Sequence, residues 1–218
     1  VHGPLKYGAA ASAANDESAR FATLTALLLS SRTNDNALGT AMARLEGACA
    51  PLGGLSASAL ARLPEDMLRR ALDGVAFAER KSEALLALAE AVHETGGTPP
   101  PDDVKAIAAL PGIGSKGSLL YAHAFSGEAR GVAVDSSLHR IAGRLGWVSA
   151  KSAEQTRRQL EKWLPREAWG EMYATFAGFG QLVCTESTPR CGECALHLEG
   201  ICPWAVRQVE EGTISVSK

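Results

Sequence analysis

Residues 110–116 read Leu110-Pro111-Gly112-Ile113-Gly114-Ser115-Lys116. A short helical segment with Asp102 and Asp103 in its first turn runs into this stretch and ends near Leu110. Proline and two glycines then interrupt it, and helix formers resume at once. The glycines permit positive φ and close backbone approach. The N–H groups at the start of the new helix point outward and suit a phosphate. Taken alone, the two-glycine pattern is a weak signal, and the stretch reads more readily as a plain joint between two helices. Lys116 follows immediately, and Leu119, Leu120, Ala122, Ala124 and Phe125 supply a core-facing set.

The chain on either side has the same character. Residues 21–29 (FATLTALLL) are apolar nearly all round, which predicts a central buried helix. Residues 79–95 place Leu85, Leu86, Leu88, Ala89 and Val92 close to a helical stripe and stop at Gly96-Gly97 before Pro99–Pro101. Residues 152–164 begin with a Ser cap, and residues 168–183 form a further helix with Gly178 and Gly180 near its end. Hydrophobic residues make up 46% of the 218 and aromatics only 6%, with Ala and Leu abundant and alternating β-type runs scarce. The expected fold class is all-α, in two helical lobes. No apolar run is long enough to span a membrane. The chain begins with Val1, which leaves room for a missing targeting segment upstream.

The expected organisation is an N-terminal arm over 1–20, flexible around Ala9–Ala14, and a lobe over 21–132 that holds the hairpin at about 107–125. A second lobe over 133–204 is completed by the N-terminal segment, and 205–218 forms a tail. Net charge is −2, which alone argues against a polyanionic partner. The distribution is uneven: residues 131–166 hold seven Lys/Arg against three Asp/Glu, inside an otherwise acidic chain. Such a block either steers a polyanion or is a solvated helix face.

Two further groups carry chemistry. Cys184, Cys191, Cys194 and Cys202 are spaced C-x6-C-x2-C-x7-C. In a chain with an adequate core elsewhere, four thiols so close suit a metal rather than disulfides, either one zinc or a [4Fe–4S] cluster. Cys49 stands alone in an Ala-rich stretch and reads as a small buried hydrophobe. Asp135, at the end of Val132-Ala133-Val134, opens the run Ser136-Ser137-Leu138-His139-Arg140. It reads as a helix N-cap or as a carboxylate at the mouth of a cleft. Lys116, 19 residues earlier, also stands at a helix start. A partly buried lysine there has a lowered pKa and serves as an amine nucleophile.

Together, LPGIGSK (110–116), AVDSSLHR (133–140) and the cysteine loop resemble the endonuclease III family. These are bifunctional DNA glycosylases/AP lyases of the helix–hairpin–helix superfamily. LLSSRTND (28–35), GRLGW (143–147), LEKWLPREAW (160–169) and AGFGQLVC (177–184) extend the likeness over about residues 20–204, and the last three look closer to the eukaryotic branch. The resemblance implies two helical lobes with DNA in the cleft between them. It implies Lys116 as nucleophile, Asp135 as catalytic carboxylate, and a [4Fe–4S] cluster on Cys184, Cys191, Cys194 and Cys202. DNA contacts are expected from Arg32, from Leu110, Pro111, Gly112, Ile113 and Gly114 of the hairpin, and from Arg140, Arg144 and Lys151. The implied partner is duplex DNA carrying oxidised pyrimidines or abasic sites, bound by a monomer. The implied compartment is the nucleus or mitochondrion of a eukaryote, or a bacterial cytoplasm.

Departures from the family pattern bear on lesion preference and rate. Arg32 stands where Gln is common, in the loop that helps fill the gap left by the extruded base. Ser137 replaces a common His, Gly117-Ser118 replaces a larger residue followed by Ala, and the last cysteine spacing is seven rather than five. Two other activities compete: an adenine-mismatch glycosylase, which lacks the lysine and carries a further C-terminal domain, and a non-catalytic iron–sulfur DNA-binding module.

Overall fold

A computed structural model of the chain describes residues 16–98 and 103–212. The expectations for the Ala9–Ala14 arm, for an N-terminal segment completing the second lobe, for the Pro99–Pro101 break and for the end of the tail lie outside those residues. Among the described residues the fold is all-helical, in two compact units that divide between Arg130 and Gly131.

The first unit is built around α1 (Glu17–Ser30), which buries Phe21, Leu24, Leu27, Leu28 and Leu29. It starts four residues earlier than its apolar run because Asp16 caps it, accepting from the N–H groups of Ser18 and Ala19. Its first turn is pinned by polar bonds. Glu17 accepts from the Thr98 N–H at 2.6 Å and from the Thr98 hydroxyl at 3.0 Å, and Arg20 donates to the Tyr121 hydroxyl at 2.9 Å. Around α1 stand α2 (Asp35–Cys49), α3 (Ala57–Ala61), α4 (Glu65–Ala71), α5 (Ala78–Glu94), α6 (Val104–Ala109) and α7 (Gly114–Ser126). α1 packs on α2, α5 and α7; α3 packs on α5, and α6 on α7. Cys49 is fully buried, and burial pushes its thiol up, as a small hydrophobe in a core should show.

The second unit contains α8 (Ser136–Arg144), α9 (Ala153–Leu160), α10 (Trp169–Leu182), α11 (Ala195–Leu198) and α12 (Pro203–Glu210). α8 is its hub and packs on α9, α10 and α12. The approach of α10 to α8 is set by a missing side chain. A Cβ at Gly180 would lie 2.7 Å from both Cβ and Oγ of Ser137 and 3.1 Å from Arg140 Nη2. Ser137 Cβ is fixed to the backbone and cannot swing aside. Gly180→Ala should therefore destabilise the chain by about 1–3 kcal/mol, as overpacking does. Adding Ser137→Gly should restore part of the loss in a thermal melt, whereas equal melting of Gly180→Ala and the parent would refute the close packing.

Candidate functional site

In the first unit the hairpin forms as its glycines require. Leu110 ends α6, its N–H bonding to Ile107 O, and the Ile113 N–H closes a turn onto Leu110 O at 3.2 Å. Gly112 and Gly114 take φ +77° and +61°, where a Cβ is strained. Leu110 and Ile113 are buried beneath the hairpin, while Gly112 and Gly114 are exposed. A Cβ on Gly112 would also meet Leu28 Cδ1 at 2.8 Å, so the hairpin rests directly on the end of α1. Gly117, a departure noted above, is held small because its Cβ would reach Ile113 Cγ2 at 2.9 Å. Lys116 sits half-buried in the first turn of α7.

The loop between α1 and α2 holds Arg32, which is exposed and has φ +54°. Its neighbour Lys81 in α5, not among the residues expected at the site, is only 8% exposed. Its ammonium donates to Leu29 O at 2.8 Å, Ser31 O at 2.6 Å and Thr33 Oγ1 at 2.8 Å. Burial, and secondarily the positive charge of Lys116, lowers Lys81 to about 8, which leaves it mainly charged at neutral pH. A signal was present: Lys81 lies four and seven residues before Leu85 and Leu88, on the buried stripe of its helix. Phe77, immediately before α5, was not expected there either. It is 58% exposed and adopts φ +58°.

In the second unit Asp135 is the N-cap of α8, accepting the Leu138 N–H at 2.8 Å through Oδ1. The expected basic surface is largely engaged internally. Arg140 donates from Nη2 to Cys184 O at 2.9 Å and Gly180 O at 3.3 Å. Arg144 donates to Thr185 O at 2.8 Å, to Glu186 O at 3.0 Å and to Cys184 Sγ at 3.1 Å, and lies 4.2 Å over the Trp204 ring. Arg157 bridges Glu154 and Glu161, and Arg158 also pairs with Glu154. The hydrogen bonds from Arg157 and Arg158 pull the Glu154 carboxyl down to about 2. Lys151 remains exposed ahead of α9.

The four clustered cysteines converge. Cys184 follows the end of α10, Cys191 opens a 3-10 turn, and Cys194 and Cys202 are the caps of α11 and α12. The Arg190 N–H closes the loop onto Val183 O at 2.9 Å. All four line one small hollow, together with Ile141, Arg144, Leu145 and Trp204. Burial raises the Cys191 thiol, and the sulfurs of Cys184, Cys194 and Cys202 raise it further, with Arg144 opposing them. Among the described residues, no three Cys, His, Asp or Glu stand close enough together to grip a single metal ion.

The profile of the HhH-GPD superfamily of base excision DNA repair proteins matches residues 25–166. The endonuclease III homolog of Schizosaccharomyces pombe is 37% identical over 91% of this chain and 56% of its own length. The homolog of Encephalitozoon cuniculi is 37% identical over 86% of this chain and 80% of its own. The chain thus spans between about half and four-fifths of these relatives. A solved endonuclease III trapped as a covalent intermediate with DNA has the same fold, with a TM-score of 0.77 at 22% identity over 87% of this chain and 86% of that one.

Proposed function

The chain belongs to the HhH-GPD superfamily of base excision DNA repair proteins, among the endonuclease III homologs, and on that footing we propose that it is a DNA glycosylase with AP lyase activity acting on oxidised pyrimidines. The observation that carries this reading is Lys116, half-buried in the first turn of α7 directly behind a two-glycine hairpin. A glycosylase without lyase activity has no need of an amine at that point.

The partner is duplex DNA, bound by a monomer in a nucleus or organelle. Backbone N–H groups at Gly114 and Ser115 hold a phosphate, and Lys151 adds a side-chain contact. Arg140 and Arg144 act from behind, holding the cysteine loop. The damaged nucleotide leaves the stack because its base is unreachable inside the duplex, and a non-aromatic oxidised pyrimidine stacks weakly. Arg32 fills the vacated space and Phe77 wedges the neighbouring step, as exposed apolar side chains do in kinked duplexes.

The neutral Nζ of Lys116 attacks the sugar C1′. The glycosidic electron pair leaves with the base, which is protonated as it departs. Opening of the sugar ring gives a protonated Schiff base. Loss of a 2′ proton then expels the 3′ phosphate by β-elimination and cuts the strand. Asp135 supplies negative charge against the cationic sugar or accepts the lysine proton.

Cys184, Cys191, Cys194 and Cys202 fit a [4Fe–4S] cluster better than zinc. They surround a hollow and are not drawn onto one point. When bound, the cluster serves to hold this loop in shape; it supplies no step of base removal.

Borohydride reduction in the presence of abasic duplex tests the reading. A lyase is captured covalently through its Schiff base. An absence of trapped complex from iron-replete protein that binds the same duplex would overturn the assignment.

A further inference from the structure

Arg32 and Phe77 are the two non-glycine residues with left-handed φ among the described residues. Each is exposed, and each conformation is one that side chains other than glycine rarely adopt unless their surroundings enforce it. One residue lies between them. The Lys81 main-chain N–H bonds to Phe77 O at 3.0 Å, closing the first turn of α5. Its side chain crosses to the other loop, where Leu29 O, Ser31 O and Thr33 Oγ1 accept its protons. An ammonium has three donors, so three acceptors at 2.6–2.8 Å use them all. Two of these acceptors are carbonyls at the C-terminal end of α1, where a cation is favoured by the dipole and where carbonyls lack helical partners. Ser31 and Thr33 flank Arg32 on both sides, so the clamp holds the backbone that aims its guanidinium.

We propose that Lys81 is a positioning residue that presents Arg32 and Phe77 together from one rigid junction, setting how well the protein distinguishes a duplex with an extruded nucleotide from an intact one. The proposal rests on the glycosylase reading above. It predicts that the Arg32 loop and lesion discrimination respond together to the charge at position 81.

The experiment uses the full chain and the variants Lys81→Met, Lys81→Arg, Thr33→Val, Arg32→Ala and Lys81→Met/Arg32→Ala. Native-state trypsin cleavage after Arg32 is compared with cleavage after Arg62, which is also exposed. Lys81→Met should speed the former by about tenfold or more, the population change expected from losing a charged hydrogen bond, and leave the latter unchanged. Lys81→Arg should restore part of the protection. Thr33→Val, which removes one acceptor and leaves Lys81 intact, should give an intermediate rate and keeps the test open if Lys81→Met misfolds. Discrimination is then read as the affinity ratio between a duplex bearing a reduced abasic site and the undamaged duplex. Lys81→Met should lower it at least as much as Arg32→Ala does, and the double variant should lower it no further than Lys81→Met alone. Unchanged cleavage after Arg32, or additive losses in the double variant, would overturn the proposal. A parent protein that binds both duplexes equally sinks the glycosylase reading, and the protease rates then decide the clamp by themselves.

Discussion

Lys116→Gln should abolish strand cutting and borohydride trapping, with the single-turnover rate falling on the order of 10⁴-fold or more, as when a covalent nucleophile is removed. Glutamine keeps the length and polarity of the side chain but has no amine to form a Schiff base. Binding to abasic duplex should stay within a few-fold of the parent. The proposed phosphate contacts are backbone N–H groups at the hairpin, and their geometry is set by Gly112 and Gly114, not by the lysine side chain. The comparison is therefore a rate measured against an affinity on the same preparation. A mutant that still traps at the parental rate would place the nucleophile on another amine.

The second large effect is expected from Cys191→Ser. Cys191 and Cys202 are buried in a core shared with Ile141, Leu145 and Ala205, against which Phe179, Leu196 and Trp204 pack. On the proposed reading the loop is thus both a ligand set and part of the interior of its unit. A serine there is a poor iron ligand and leaves a hydroxyl in an apolar setting. Ligand binding and folding are coupled in such a unit, so loss of the cluster should lower the melting temperature and expose the loop to proteolysis. The parent, purified without oxygen, should be brown and contain iron and acid-labile sulfide. Colourless parent protein with one zinc per chain, or a Cys191→Ser variant with parental iron content, would refute the cluster.

Much of this was legible in the sequence because it depends on local rules. The uniform apolarity of 21–29 marks the central helix, since a segment with no polar face has to be surrounded. The two glycines of the hairpin announce backbone angles that other residues resist, and the structure adopts them. The four cysteines declare themselves by spacing. Side-chain partners chosen through the fold were not legible. Arg140 and Arg144 are basic residues in a basic block, and nothing in that pattern shows that carbonyls of the cysteine loop receive their protons. Gly180 carries no turn, and its need for a hydrogen side chain comes from Ser137 across a helix interface. Lys81 was hidden because a single charge on an apolar stripe is easily discounted. Phe77 was hidden because an aromatic residue gives no sequence sign of a left-handed backbone.

The inward turning of the basic block also bears on how such a protein would search. Arg140 and Arg144 are held by main-chain oxygens, and Arg157 and Arg158 by Glu154 and Glu161. Four of the seven cations of that block are thus engaged within the chain, so nonspecific adhesion to undamaged duplex should be weaker than the formal charge of the block suggests. On the proposed function it should therefore sample DNA in brief visits, hopping between separate stretches in preference to long sliding runs, and become long-resident only where a base can be extruded and its place taken.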